Sequence, residues 1–169
     1  MFKIRKLLPA ILVVVVGMVI LATSGWVGTE TIYQPIKFNH LKHKEQGLQC
    51  LDCHKYAKEY KFAGLPNIEA CSECHQTKLT ESKEEEKLLR FIQDKTPIPW
   101  NRIYHVADHV YYSHAAHLDL SDLQCPTCHG NIGERESPPK RALIKFSMEF
   151  CMDCHRKRHA TLDCLSCHI

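Results

Sequence analysis

Phe38-Asn39-His40-Leu41-Lys42-His43 runs, six residues later, into Cys50-Leu51-Asp52-Cys53-His54. The same order returns as Tyr112-Ser113-His114-Ala115-Ala116-His117, seven residues ahead of Cys125-Pro126-Thr127-Cys128-His129. Each copy leads to a second Cys-x-x-Cys-His run, Cys71-Ser72-Glu73-Cys74-His75 after 16 residues and Cys151-Met152-Asp153-Cys154-His155 after 21. A fifth run, Cys164-Leu165-Ser166-Cys167-His168, follows. All 10 cysteines of the chain lie in these five runs.

Cys-x-x-Cys-His is the attachment signature of c-type haem: two thiols add to the porphyrin vinyl groups and the adjacent histidine reaches the iron from one face. A zinc site draws four ligands from paired clusters and gives no reason for a histidine after every second cysteine. Disulfides fit an exported chain, but cysteines three apart are poorly placed to bridge each other. The expected cofactors are therefore five covalently bound c-type haems, one on each run. Some 140 residues are left to surround them, and aromatic residues make up only 8% of the chain, so the haems themselves must form the core. Such a chain is expected not to fold without them. The formal net charge of +3 is mild, and the haem propionates add negative charge, so nothing points to nucleic acid.

Ahead of the motifs, Lys3, Arg5 and Lys6 precede an uncharged stretch from Leu7 to Gly28, and the next charge is Glu30. That length suits one membrane span, and Trp26 stands where an interfacial aromatic would lie. A cleaved signal peptide is the rival reading, but no clear Ala-x-Ala site is present. Residues 1–30 are expected to be an uncleaved signal-anchor in the bacterial cytoplasmic membrane. The basic flank stays inside and the remainder faces the periplasm, where bacteria attach c-type haem.

The expected fold is mainly α with much irregular loop: an N-terminal transmembrane helix and a small haem-cored domain over 31–169. The domain divides into a dihaem module at 31–80, a connector at 81–104, a second dihaem module at 105–155 and a fifth haem at 156–169. Within the connector Leu88, Leu89 and Ile92 follow a helical spacing, and Ser82 with Glu85 fits a capping box. The acidic run Glu84-Glu85-Glu86 is expected to be a solvated helix face, and Pro97-Ile98-Pro99-Trp100 to end the helix. The basic run Arg156-Lys157-Arg158 suits plain solvated surface, propionate neutralisation or partner docking equally well.

His54, His75, His129, His155 and His168 close the motifs, and seven histidines remain for the opposite faces of the irons. Axial ligands lie on opposite faces of a porphyrin. Two histidines three apart on one helical turn therefore cannot share an iron, and each His-x-x-His must serve two haems. This selects His40, His43, His114 and His117. His105, His159 and His109 compete, in that order, for the fifth place. Methionine ligation would raise a potential, but Met148 and Met152 read as packing residues. The histidine supply fills every iron position, and no catalytic triad, phosphate loop or carboxylate pair stands out. Electron transfer rather than substrate chemistry is expected, with no enzyme activity of the chain's own.

His-x-x-His ahead of Cys-x-x-Cys-His resembles the class III multihaem cytochrome c family, which implies that the first histidine serves the following haem and the second a different one. A longer pattern comprises Gln34-Pro35-Ile36-Lys37-Phe38-Asn39-His40, Gly64-Leu65-Pro66 before Cys71, and Pro97 to His105 leading to Asp108-His109-Val110-Tyr111-Tyr112-Ser113-His114. It resembles the pentahaem cytochrome subunit of alternative complex III. That resemblance implies quinol oxidation by a polytopic quinol-binding membrane subunit, with electrons passing through an iron-sulfur subunit and this chain to a monohaem cytochrome or another periplasmic acceptor. Two rivals are a stand-alone quinol dehydrogenase feeding a periplasmic reductase and the haem subunit of a quinone-reducing complex in sulfate reducers. The first of these places a methionine close after its first motif, where this chain has Lys55-Tyr56.

Overall fold

Each Cys-x-x-Cys-His run is short enough to be one helical turn, and the backbone closes it as one. His54, His75, His129 and His168 each donate their N–H to the carbonyl of the first cysteine of their own run, at 2.9 Å in all four cases. The computed structural model describes residues 31–119 and 121–168. Among these the α-helices are α1 (His40–Glu45), α2 (Cys50–Cys53), α3 (Ile68–Ser72), α4 (Lys83–Gln93), α5 (His114–Asp119), α6 (Pro126–His129), α7 (Met148–Lys157) and α8 (Cys164–Cys167). Single 3-10 turns occupy Lys55–Ala57 and Ile132–Glu134. The only pairing outside helices that resembles a sheet, among the described residues, is an isolated antiparallel bridge between Val110 and His168.

Caps written into the sequence start these helices. The Asn39 side chain accepts from Lys42 N at 2.8 Å to open α1, and Ser147 accepts from Phe150 N at 3.2 Å to open α7. Asp163 caps α8 by accepting from Leu165 N. Asn67 accepts from Ile68 N to open α3, and the same oxygen accepts from Ile98 N, also at 2.8 Å. One amide side chain thereby ties the connector to the second motif. The expected connecting helix is present as α4, with Ser82 as its N-cap, acidic residues in its first turn and Arg90 in its last, a sequence of charges that suits the helix dipole.

The apolar centre of this half is small. Ile36, Leu88 and Ile98 are buried together, with Ile68, Cys71, Phe91, Ile92 and Trp100 packed partly against them. Beyond that group Ala57 is the other buried hydrophobic side chain among the described residues, whereas Tyr33, Tyr56, Tyr60, Phe62, Leu65 and Tyr111 are exposed. The polypeptide alone does not supply a conventional core.

Backbone bonds stitch the halves together. Lys61 and Tyr60, just after the first motif, accept from His114 N and Ala115 N at 3.1 and 3.2 Å, and Arg135 accepts from Leu41 N at 3.1 Å. Tyr111 N donates to Cys167 O at 2.7 Å, drawing the last motif onto the segment before the second His-x-x-His.

The expected fold class needs one correction. Among the described residues no helix is long and apolar enough to cross a membrane. The longest, α4, has 11 residues; such a helix rises roughly 16 Å, against about 30 Å of bilayer hydrocarbon. The N-terminal transmembrane helix is thus not supported, and the single-pass placement in the cytoplasmic membrane that rested on it is withdrawn. The stretch read as an anchor, 1–30, lies outside the described residues.

Candidate functional site

Six histidines of the motifs and of the two His-x-x-His segments are held by their Nδ1 atoms. His54 donates from Nδ1 to Gly64 O (3.1 Å), His155 to Thr161 O (2.7 Å), His43 to Asn39 O (2.8 Å), His117 to Ser113 O (2.8 Å) and His114 to Lys61 O (3.1 Å). A carbonyl only accepts, so Nδ1 carries the proton in each ring and Nε2 is left with a free lone pair. This is the second-shell arrangement that orients a metal-ligating imidazole. His75 differs: its Nδ1 partner is the Glu85 carboxylate, at 2.8 Å.

The rings then face one another in pairs. His43 and His75 have centroids 6.2 Å apart, His114 and His129 6.2 Å, His117 and His155 6.1 Å, and His109 and His168 5.4 Å. A metal midway between two imidazoles, bonded to each nitrogen at about 2.0 Å, holds the ring centres about 6 Å apart. The residues present therefore fit bis-histidine iron. His40 lies in the same surroundings as His54. Burial lowers it to about 4, the neighbouring His54 and then His43 add to the fall, and its buried Nδ1 has no hydrogen-bond partner. His129 is also held at about 4, by burial and then by His114 and His54. Both rings are neutral at ordinary pH, the form that binds a metal.

The internal repeat persists in side-chain geometry. In the first copy Phe38 stacks on His43 at 4.3 Å and meets His40 edge-on at 4.7 Å. In the second, Tyr112 lies at 4.7 Å from His117 and edge-on to His114 at 5.0 Å. The aromatic residue is a wedge that splays the two histidines toward different partners.

Of the three competitors for the fifth place, His109 is the one set against His168. The Val110–His168 bridge and the Tyr111 N to Cys167 O bond bring it there. His105 is exposed and turns its Nε2 back to Arg102 O at 3.1 Å. His159 is exposed, in a left-handed backbone conformation with φ 54°, just beyond α7. Met148 is 64% exposed. In the basic run, Arg156 and Lys157 both approach Asp153, at 3.8 and 2.6 Å.

None of the ten cysteines is paired in a disulfide. Their surroundings show which motifs adjoin. Burial raises Cys71 to about 11, and Cys53 adds to the rise. Burial also raises Cys125, and Cys50, which shares a side-chain hydrogen bond with it, adds to the rise. Cys128 is raised by burial and then by Cys154 and Cys151, and Cys151 by burial and then by Cys167.

Glu85 is the residue that sequence reasoning missed. It was expected to cap α4 or to face solvent, yet it is 6% exposed, and Ser82 caps Glu84 N instead. Its Oε1 accepts from His75 Nδ1 and Leu79 N, and its Oε2 from Thr80 N and Thr80 Oγ1. Burial opposes its ionisation, but these bonds from Thr80, Leu79 and His75 outweigh it and hold the carboxyl down at about 2. Nothing local in the sequence marks this role, because the segment 78–82 must fold back before its donors reach the helix.

Comparison with known proteins agrees with this chemistry. Residues 21–98 match the Class III cytochrome C family and residues 110–169 match cytochrome c7 and related cytochrome c. The chain is also similar to the menaquinone reductase multiheme cytochrome c subunit of Nitratidesulfovibrio vulgaris (Hildenborough), 28% identical over 183 residues covering 90% of this chain and 87% of the relative. The paired imidazoles and these two matches agree: over residues 21–98 and 110–169 the chain is similar to multihaem c-type cytochromes of the class III and cytochrome c7 kind, which are proteins of electron transfer.

Proposed function

We propose that the chain is a five-haem electron relay in a membrane complex that reduces quinone. The cysteine pairs Cys50/Cys53, Cys71/Cys74, Cys125/Cys128, Cys151/Cys154 and Cys164/Cys167 hold the haems. The histidines that would hold the irons are His40 with His54, His43 with His75, His114 with His129, His117 with His155, and His109 with His168. The observation that carries this reading is the set of four opposed ring pairs at 5.4 to 6.2 Å. Haems held in this way would supply one-electron transfer, with no bond made or broken.

Motif adjacency supports a route that departs from chain order. Cys71 neighbours Cys53, Cys125 neighbours Cys50, Cys128 neighbours Cys151 and Cys154, and Cys151 neighbours Cys167. Electrons would thus pass between the second and first motifs, cross to the third, and continue to the fourth and fifth. The crossing is where Lys61 O holds both the backbone and the ring of His114. The modules at 31–80 and 105–155, the connector between them and the fifth haem at 156–169 are the units of this relay.

The direction toward quinone follows the menaquinone reductase subunit to which the chain is similar. The partners are a polytopic quinone-binding subunit, an iron-sulfur subunit and a small monohaem cytochrome that exchanges electrons with one end. The opposite direction, quinol oxidation in an alternative complex III, is the second reading. It draws on the three segments that resemble that family, which are joined here. Gln34 and Asn101 exchange bonds of 2.6 and 2.9 Å, and Trp100 Nε1 donates to Pro66 O at 2.8 Å.

The test is gentle isolation of the chain with its partners. Mass spectrometry should show five haem adducts, and the reduced protein should remain six-coordinate and refuse carbon monoxide. The complex should pass electrons from a reduced cytochrome to a menaquinone analogue. Carbon monoxide binding would overturn the ligand assignment, and rapid quinol oxidation without measurable quinone reduction would favour the second reading.

A further inference from the structure

The five Nδ1 atoms that bond to carbonyl oxygens have neutral partners, namely those of Asn39, Gly64, Lys61, Ser113 and Thr161. His75 alone among the described rings donates to an anion. The geometry leaves that anion no freedom. Two donors reach each Glu85 oxygen, at 2.8 and 2.9 Å on Oε1 and at 2.6 and 2.6 Å on Oε2. Both oxygens are occupied as acceptors, which leaves no lone pair for a proton. The donors at Leu79 and Thr80 come from the backbone and hydroxyl of the loop after the motif, so the carboxylate is anchored independently of the histidine.

A carboxylate on Nδ1 draws the ring proton toward itself and makes the imidazole a stronger electron donor at Nε2. It also sets a fixed negative charge one ring away from the metal. Both effects favour Fe(III) over Fe(II), and hydrogen bonding around an axial ligand is one of the levers by which a protein sets a haem potential. We propose that Glu85 is a positioning residue that lowers the reduction potential of the haem on Cys71 and Cys74, and so fixes the low-potential terminus of the relay. This rests on the five-haem reading above. The motif order makes that haem an end of the route, where a potential step sets the exchange with a partner rather than the hops within the chain.

The experiment is a spectroelectrochemical titration of the haem-loaded protein and its Glu85→Gln variant, with Glu84→Gln as the neighbouring control. Glu85→Gln should move one of the one-electron steps to more positive potential by about tenfold in its equilibrium constant, about 59 mV for a one-electron couple, and leave the others in place. Glu84→Gln should move none. Coincident titrations of Glu85→Gln and the parent would overturn the proposal. Should the variant fail to load haem, the oxidised parent protein decides by electron paramagnetic resonance. One low-spin ferric signal should show the stronger axial field of an imidazole with imidazolate character, and signals that are all alike would overturn the proposal. Haem counting by mass on the parent separates a failure of this inference from a failure of the five-haem reading.

Discussion

Asn67 shows how much can depend on one oxygen. It accepts from Ile68 N and from Ile98 N, both at 2.8 Å, so its loss uncaps α3 and strands an N–H beside the buried Ile98. Asn67→Ala is expected to destabilise the haem-loaded protein by about 2 kcal/mol, read from its denaturant midpoint, since a lost cap and an unsatisfied buried donor each cost about 1 kcal/mol or more. Gly64 is constrained differently. At φ 71° it sits in the left-handed region, and a Cβ there would meet Tyr56 Cδ2 at 3.1 Å. Gly64→Ala is expected to lower stability by roughly 1 kcal/mol and, by shifting the carbonyl that His54 uses, to perturb the spectrum of one haem. At this scale the five Cys-x-x-Cys-His runs and the two His-x-x-His pairs are legible as spacings in the sequence, and the attachment and ligand roles given to them belong to the proposed reading. The placing of His109, rather than His105 or His159, against His168 and the burial of Glu85 are not. One is selected by the Val110–His168 bridge and the other by a loop that folds back, and neither leaves a local pattern.

The elements are short, and their ends are written in cap residues, which made α4 readable as a helix that stops before Pro97. What the pattern left unresolved was which acidic side chain does what. Glu84, Glu85 and Glu86 are alike in sequence. The turn that follows Ser82 exposes part of Glu84 to Lys37 N (2.8 Å) and Lys87 (2.9 Å) while burying Glu85. Leu88 anchors the helix against Ile36 and Ile98. Leu88→Ala is expected to cost about 2 to 3 kcal/mol in denaturation, the lower part of the range for a buried leucine because the cluster is small. Although burial pushes Glu84 up, the Lys37 N–H and Lys87 outweigh it, and its carboxyl lies below the usual range. A depressed carboxylate contributes fully above its unfolded-state pKa and loses that contribution as pH falls through the folded one. Glu84→Gln should therefore flatten the acid limb of stability against pH and leave the neutral region parallel to the parent.

Across the described residues, few hydrophobic side chains are buried and many aromatics are exposed, so this part of the polypeptide cannot order itself by apolar burial alone. A chain with its ten cysteines replaced by alanine, and hence no attached haem, is expected to show no cooperative thermal transition by circular dichroism. The repeat was visible in the sequence as spacing, but the crossing between its copies was not. That crossing depends on Lys61 O and Tyr60 O meeting α5, a pairing between residues more than fifty positions apart.

The facing histidine pairs also carry a chronology. On the proposed pairing every second ligand precedes its own motif in the chain: His40 before Cys50, His43 before Cys71, His109 before Cys164, His114 before Cys125 and His117 before Cys151. As synthesis proceeds, each newly completed motif finds its opposite imidazole already made, so maturation can advance from the first site to the last without leaving an iron half-ligated. A chain cut after residue 159 would accordingly mature four complete sites and leave His109 without its partner motif.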